Sequence, residues 1–147
     1  MPAYPAIPAF APESPTVQLT EGAAQTFKLG AAVVLDASQF VTECGADPAL
    51  IYGFAGHPAT KGIPITVDLV HKAWEGQKFW MSALPAGGAL VYGDTNKTYG
   101  ITKDANGIWQ LDRSKTAAAA RLYIHYVDLE RALCLVSVLA ANRQISP

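Results

Sequence analysis

The sequence predicts an all-β protein, a single β-barrel or β-sandwich domain preceded by an extended, proline-rich N-terminal arm. About ten short runs of β-branched and aromatic residues follow one another, separated by turn residues every ~8–12 positions. Half of the 147 residues are hydrophobic, which is enough for one core without disulfides. Five of the ten prolines precede residue 16, so no regular helix or sheet is expected there.

Residues 1–15, MPAYPAIPAFAPESP, form the predicted arm. Proline fixes its own φ and favours extended conformations in the residue before it, so this segment is stiff. Disordered tails have few aromatic residues and more charge, whereas this segment contains Tyr4, Ile7 and Phe10 and one acidic residue, Glu13. We therefore expect these three apolar side chains to bind a partner surface at a reduced entropic cost. The alternative is a flexible tail that binds nothing.

The body, residues 16–147, begins with short apolar runs bounded by Gly, Asp and Ser. The strands predicted in its first half are residues 16–20, 25–30, 31–36, 39–44, 50–55 and 63–74. Asp47–Pro48 predicts the start of a single helical turn, because proline is favoured at the first helical position. Pro64 indicates that the last of these segments is an edge strand or begins there.

The second half has the clearest local signal. Asn106–Gly107 tolerates the positive φ of a tight turn, so residues 98–112 predict a hairpin. A glycine-broken connection, residues 85–93, is expected to lead into a strand, and four alanines at 117–120 predict one helical turn or a close backbone approach. The other predicted strands are residues 77–84, 121–129 and 131–141.

Alternation in residues 121–129 predicts which side chains share a face. Leu122, Ile124 and Tyr126 are expected on one face, opposite Tyr123, His125 and Val127. The continuous apolar run 131–141 predicts a central strand covered on both faces, although a helix is also compatible with it.

Charge and cysteine content exclude several classes of protein. The 11 basic and 12 acidic residues are scattered and give a net charge of −1, so nucleic-acid binding and a basic membrane-binding helix have little support. No apolar run reaches the ~18 residues of a membrane span, and prolines interrupt any leader-like run, so no signal peptide is expected. Cys44 and Cys134 lie far apart in apolar runs and are expected to be buried, reduced thiols. We expect folding in a cytoplasm.

We find no catalytic or metal-binding motif, and we predict no enzyme activity, metal or cofactor. His57 precedes a proline in a predicted loop and is expected at the surface. Asp68 and His71 are three residues apart on a predicted strand, as are His125 and Asp128, which places each pair on opposite faces. No G-x-S-x-G, phosphate-binding or calcium-binding loop is present.

The aromatic residues Trp74, Phe79, Trp80 and Trp109 could form a platform for stacking sugars. Phe79 and Trp80 are adjacent, so on a strand they face opposite ways and one of them leaves the core side. We favour packing in the core or at an interface over ligand stacking.

Three phrases resemble the small head-decoration, or cement, proteins of tailed bacteriophages. GAAVVLDASQFVTECGADPALIYGFAG at 30–56 resembles the opening segment of that family. YGITKDANGIWQLD at 99–112 is similar to its later hairpin, and ALCLVSVLAANRQ at 132–144 to its last strand.

The resemblance implies a β-barrel or tulip-like domain without enzyme activity. It implies a homotrimer on the outside of an expanded capsid, assembled in the bacterial host cytoplasm, that clamps neighbouring major capsid proteins, often with an extended arm. In this chain Tyr4, Ile7 and Phe10 would be the anchors on that partner. The alternatives that remain open are a carbohydrate-binding β-sandwich module that uses Trp74, Trp80 or Trp109, a tail- or head-fibre subunit, and a small β-barrel enzyme.

Overall fold

A computed structural model describes residues 3–8, 16–60 and 67–144. Most of these residues lie in short strands or in the loops between them, with four single 3-10 turns. The strands are β1 (Ile7–Pro8), β2 (Thr16–Thr20), β3 (Ala32–Leu35), β4 (Val41–Glu43), β5 (Gly53–Ala55), β6 (Val67–Lys72), β7 (Phe79–Met81), β8 (Thr98–Lys103), β9 (Trp109–Asp112), β10 (Leu122–Asp128) and β11 (Leu133–Val138).

The strands form two antiparallel sheets, one of which curls into a half-barrel. The six-stranded sheet has the order β1-β7-β11-β10-β8-β9, and the five-stranded sheet has the order β2-β6-β5-β3-β4. The predicted all-β fold, a sandwich or barrel, is therefore confirmed. The predicted hairpin at 98–112 is also confirmed, because β8 pairs with β9 and Gly107 takes a φ of +82°.

The core lies between the two sheets. Phe54 on β5 and Phe79 on β7 are fully buried, and their ring centroids are 4.6 Å apart, so the two sheets meet through this aromatic pair. At one side the edge strands of the two sheets are joined by the indole of Trp109, which donates a hydrogen bond of 2.9 Å to Glu43. Lys103 pairs with the same carboxylate at 3.1 Å.

Two predictions of local secondary structure were wrong, and in both places the backbone has a positive φ that ends regular structure. Residues 25–30 do not form a strand, because the chain turns there and Gly30 reaches a φ of +78°. Asp47–Pro48 does not start a helical turn, since Asp47 adopts a φ of +50° and pairs with Lys115. In contrast, the segment 85–93 is the predicted connection: it holds a 3-10 turn and the start of another, and the chain then enters β8. Residues Ala117–Ala119 form the predicted single helical turn.

Strands β6 and β11 each differ from the prediction in one respect. Strand β6 lies between β2 and β5, so it is not an edge strand, and Pro64 lies outside the described residues. Strand β11 is central as predicted, between β7 and β10, but Leu135 and Ser137 are only half-buried. The outer face of the six-stranded sheet is therefore open at its centre.

A bulge in β10 changes the predicted faces. The register with β11 shifts between Ile124 and Tyr126, which leaves His125 as the extra residue. Beyond the bulge Val127 is fully buried and Tyr126 is 52% exposed, the reverse of the predicted alternation. The bulge thus turns an aromatic ring to the outside of the sheet.

Candidate functional site

The described part of the arm lies against the body of the same chain. Contrary to the prediction that the arm joins no sheet, Ile7 pairs with Trp80 and Pro8 with Phe79, and these two residues are the edge strand of the six-stranded sheet. Proline is tolerated there because an edge strand pairs on one side only. Ala6 is 1% exposed and belongs to the core. The backbone N–H of Tyr4 donates to the hydroxyl of Ser82 at 3.2 Å.

The predicted partner-binding residues of the arm do not all lie in the described part. Tyr4 and Ile7 are described, and each keeps nearly half of its surface exposed, 46% and 44%. They therefore remain available to a partner while the arm backbone pairs with β7. Phe10 lies outside the described residues.

Ile7 begins a row of side chains across the outer face of the six-stranded sheet. Its pairing partner Trp80 pairs in turn with Leu135, and Leu135 pairs with Tyr126. Directly paired residues lie on the same face of an antiparallel sheet. We call Ile7, Trp80, Leu135 and Tyr126 the outer row; all four are half-buried or exposed.

Ring contacts fix the centre of the outer row. The ring centroids of Trp80 and Tyr126 are 6.4 Å apart in an edge-to-face arrangement. The guanidinium of Arg131 lies 4.7 Å from the Trp80 ring and donates to Asp128 at 2.7 Å. Phe79 and Trp80 face opposite ways, as predicted, and Trp80 leaves the core side. The outer row is thus an ordered apolar surface bordered by an ion pair.

A mainly apolar cavity of about 300 Å³ lies beside the point where the arm meets the body. Ser82 and Gln110 provide its polar groups, and Leu90, Leu129 and Ala132 lie among its apolar residues. The Ser82 hydroxyl donates to Gln110 at 3.2 Å, and the Gln110 amide donates to Asp104 at 2.7 Å. These polar groups already form hydrogen bonds with one another and with the arm. A ligand in this cavity would therefore make mainly apolar contacts.

One wall of this cavity is held by a buried ion pair. Arg113 donates to Asp94 at 3.1 Å and to the carbonyls of Gly87 and Ala89 at 2.7 and 3.0 Å. Burial by itself would raise the pKa of Asp94, but hydrogen bonds from Val91 N–H and the Tyr99 hydroxyl, with the charge of Arg113, lower it. Asp94 is therefore held ionised and acts as a structural anchor.

The potentially reactive side chains are dispersed. In residues 3–8, 16–60 and 67–144 no group of three His, Cys, Asp or Glu residues could hold a metal ion. Burial lowers the pKa of His71, and burial with the charge of Lys78 lowers that of His125, whose ring is 2.8 Å from the Ser137 hydroxyl. Cys44 and Cys134 are free and buried, as predicted.

The three tryptophans do not form one platform. Trp109 is 2% exposed and its indole is bonded to Glu43. Trp80 belongs to the six-stranded sheet, whereas Trp74 follows β6 of the five-stranded sheet and is 54% exposed. A shared aromatic surface of all three is excluded.

Sequence analysis missed Leu135, Tyr126 and Arg131 as members of the exposed surface. Their alternation with buried residues resembles that of core strands, and the bulge that exposes Tyr126 leaves no signal in the sequence. Among the described residues no helix is long and apolar enough to cross a membrane. The chain matches no protein-family model, no curated protein and no solved structure in the comparisons made.

Proposed function

We propose that this chain is a structural, non-catalytic protein that decorates the outer surface of a phage capsid and stabilises it by bridging neighbouring major capsid proteins. The observation that carries the proposal is the outer row, an ordered apolar surface on an open sheet face that starts in the arm. The resemblance of residues 30–56 and 99–112 to phage cement proteins supplies the class of partner.

The composition of the surface favours a protein partner. Trp, Tyr and Arg are the residues most enriched where binding energy is concentrated in protein interfaces. Trp80, Tyr126 and Arg131 are in contact with one another or stacked, so little side-chain entropy is lost when a partner covers them. Two apolar neighbours, Leu135 between Trp80 and Tyr126 and Ile7 beside Trp80 at the edge, extend the surface that excludes water.

The arm supports bridging by one subunit. Its residues Tyr4 and Ile7 are exposed at the edge of the sheet, and Ile7 is itself the first residue of the outer row. A capsid protein bound to the row would therefore also touch the arm. The homotrimeric state is part of the proposal and comes from the family resemblance.

The test is co-sedimentation of the full chain with heads assembled from the major capsid protein of the same genome, before and after expansion. We expect saturable binding to expanded heads, and electron microscopy should show the added density outside the shell. Sedimentation equilibrium of the free protein gives its oligomeric state, for which we expect three copies. The proposal would be contradicted if the protein bound neither unexpanded nor expanded heads.

Variants connect the binding to the outer row. Tyr126→Ser and Ile7→Ser remove exposed apolar side chains from the row and are expected to weaken head binding at least tenfold. Phe40→Ser and Leu50→Ser are matched controls, because these residues are 41% and 42% exposed and lie in loops that flank the five-stranded sheet. Equal binding by all four variants would show that the row is not the contact surface.

The second candidate function is carbohydrate binding, and of the three tryptophans proposed for it, Trp74 is exposed at a cavity. Trp74 is more than half exposed and lines a cavity together with charged side chains. That observation is specific enough to be argued separately below.

A further inference from the structure

A cavity of about 480 Å³ lies where strand β6 ends, apart from the outer row. One side consists of residues 72–75, and the other of Ala140, Arg143 and Gln144 near the end of the chain. Small-molecule sites in proteins have volumes of ~300–1,000 Å³. The cavity is thus large enough for one or two sugar rings.

Both walls of the cavity are fixed by hydrogen bonds. The Gln144 side chain is buried and makes two bonds with the backbone of Leu35, at 2.8 and 2.9 Å. The backbone N–H of Ile51 donates to the carbonyl of Asn142 at 2.7 Å, and the N–H of Gln144 donates to the carbonyl of Ile51 at 2.9 Å. On the other wall, Ala73 N–H donates to Tyr52 O at 2.9 Å. The site is therefore largely preformed.

Trp74 provides an aromatic surface. The ammonium of Lys72 lies 4.6 Å from the centroid of its ring and 5.3 Å from that of Tyr52, which holds the indole in place by cation–π attraction. More than half of Trp74 nevertheless stays exposed. The partly negative face of an indole attracts the polarised C–H groups of a pyranose ring.

Two of the three charged side chains at the cavity, Glu75 and Arg143, have no partners in the part of the chain that the structure describes. Among those residues, neither the guanidinium of Arg143 nor the carboxylate of Glu75 has a hydrogen-bond or ion-pair partner. The other three arginines are all engaged: Arg113 with Asp94, Arg121 with backbone carbonyls and Arg131 with Asp128. Arg143 is thus an open site for a carboxylate, which a guanidinium can bind through two parallel hydrogen bonds.

We propose that this cavity binds an acidic saccharide, a sugar that carries a carboxylate. Its ring stacks on Trp74, its carboxylate pairs with Arg143 on the facing wall, and a hydroxyl donates to Glu75. Two cations and one carboxylate give the site a net positive charge, which favours an anionic sugar over a neutral one. This inference is independent of the proposed capsid partner and is compatible with it.

The test is calorimetric titration of the full chain with a trimer of galacturonic acid and with the neutral trimer of galactose. We expect saturable binding of the acidic trimer, and at least tenfold weaker binding of the neutral one. Sodium acetate should compete at least tenfold less well than the acidic trimer, because it lacks the ring. Absence of saturable binding by the acidic trimer, equal binding of the neutral trimer, or equal competition by acetate would overturn the proposal.

The chain contains a matched pair of residues for control variants. Trp74→Ala and Arg143→Gln are expected to reduce binding of the acidic trimer at least tenfold. Trp80→Ala and Arg131→Gln change the same two residue types on the other sheet, and these variants should bind the trimer within a factor of two of the unmodified chain. Circular dichroism and thermal melting check that all four are folded, and Trp74→Phe, which keeps an aromatic ring, should restore part of the binding. Equal losses in both pairs would overturn the proposal.

Discussion

The backbone nitrogen of Ala6 lies so close to Gly30 that a Cβ atom on Gly30 would be 2.5 Å from it. The same Cβ would be 2.6 Å from the Cβ of Pro5, and Gly30 has a φ of +78°. Glycine is therefore required here for space and for backbone conformation. This contact seats Ala6 in the core and fixes the arm against the loop that precedes β3.

Gly30→Ala is expected to reduce the free energy of unfolding by about 2–5 kcal/mol, because positive φ costs an alanine ~1–2 kcal/mol and overpacking costs ~1–3 kcal/mol. Gly76→Ala is the matched control, since Gly76 has the same φ and a Cβ atom added to it would meet nothing within 4 Å. It should lose only the first of these contributions. Urea denaturation measures both, and hydrogen exchange at Tyr4 should accelerate only in the Gly30 variant. Equal losses would show that the arm does not press on Gly30.

Asp94 is expected to make the free energy of unfolding decrease in acid. Its pKa is lowered in the fold, so its contribution to stability is fully present above the unfolded value of ~3.9 and is lost as the pH falls through the folded pKa. Asp94→Asn should cost about 3–5 kcal/mol near neutral pH, because Arg113 is left buried without its partner. The free energy of unfolding, measured from pH 6 to 2.5, should fall less steeply below pH 4 in this variant. Asp112 and Asp128 have lowered pKa values too, so part of the acid dependence should remain.

Asp47→Asn is the control for the acid experiment. Asp47 pairs with Lys115, but 57% of its side chain is exposed, so the pair contributes at most ~1 kcal/mol. Asparagine also tolerates the positive φ of this residue. If the two variants lost equal stability, Asp94 would not be the anchor that its contacts indicate.

Local sequence signals predicted the fold class and most strands, and failed where distant contacts decide. Asn106–Gly107 predicted its hairpin because a tight turn depends on its own residues. By contrast, the exposure of Tyr126 depends on a bulge at His125 in the pairing with β11, and no residue type marks it. The arm also combines a local signal with a distant contact. Its prolines predicted an extended backbone, but its pairing with β7 could not be predicted because β7 lies about 70 residues further along the chain.

The candidate sites were predictable only as single residues. Tyr4 and Ile7 could be selected from the sequence because they are apolar residues of a segment expected to be extended, and Trp74 and Trp80 because they are aromatic residues of predicted strands. The residues around them could not be selected in this way. Leu135 joins the outer row by pairing with Trp80, and Arg143 is placed at the cavity by a bridge to Ile51, so both depend on contacts between distant segments. Buried Trp109 shows the converse, because its bond to Glu43 across the sheets removes it from the surface.

The two cysteines should be unreactive in the folded protein. Burial, with the neighbouring charge of Glu43, raises the pKa of Cys44 to about 12, and burial, with the charge of Asp94, raises that of Cys134 to about 12. Very little thiolate, the reactive form, is then present at pH 8. A disulfide reagent should modify both thiols only after unfolding, at the rate of global opening. Rapid modification of either thiol in native buffer would contradict this.

Phe79 and Trp80 are neighbours in β7, and their replacement should separate the core from the outer row. Phe79 is fully buried against Phe54, so Phe79→Ala should cost about 3–5 kcal/mol of stability. Trp80 is half-buried and loses one ring pair and one cation–π contact, each worth about 0.5–1.5 kcal/mol, so Trp80→Ala should cost about 1–3 kcal/mol. The effect on partner binding should be the opposite. We compare Trp80→Ala with Phe79→Leu, which keeps the core apolar, under conditions where both variants are folded. Trp80→Ala should weaken co-sedimentation with heads, and Phe79→Leu should not. If Phe79→Leu reduced head binding as much as Trp80→Ala, the face of β7 that carries Trp80 would have no special part in binding.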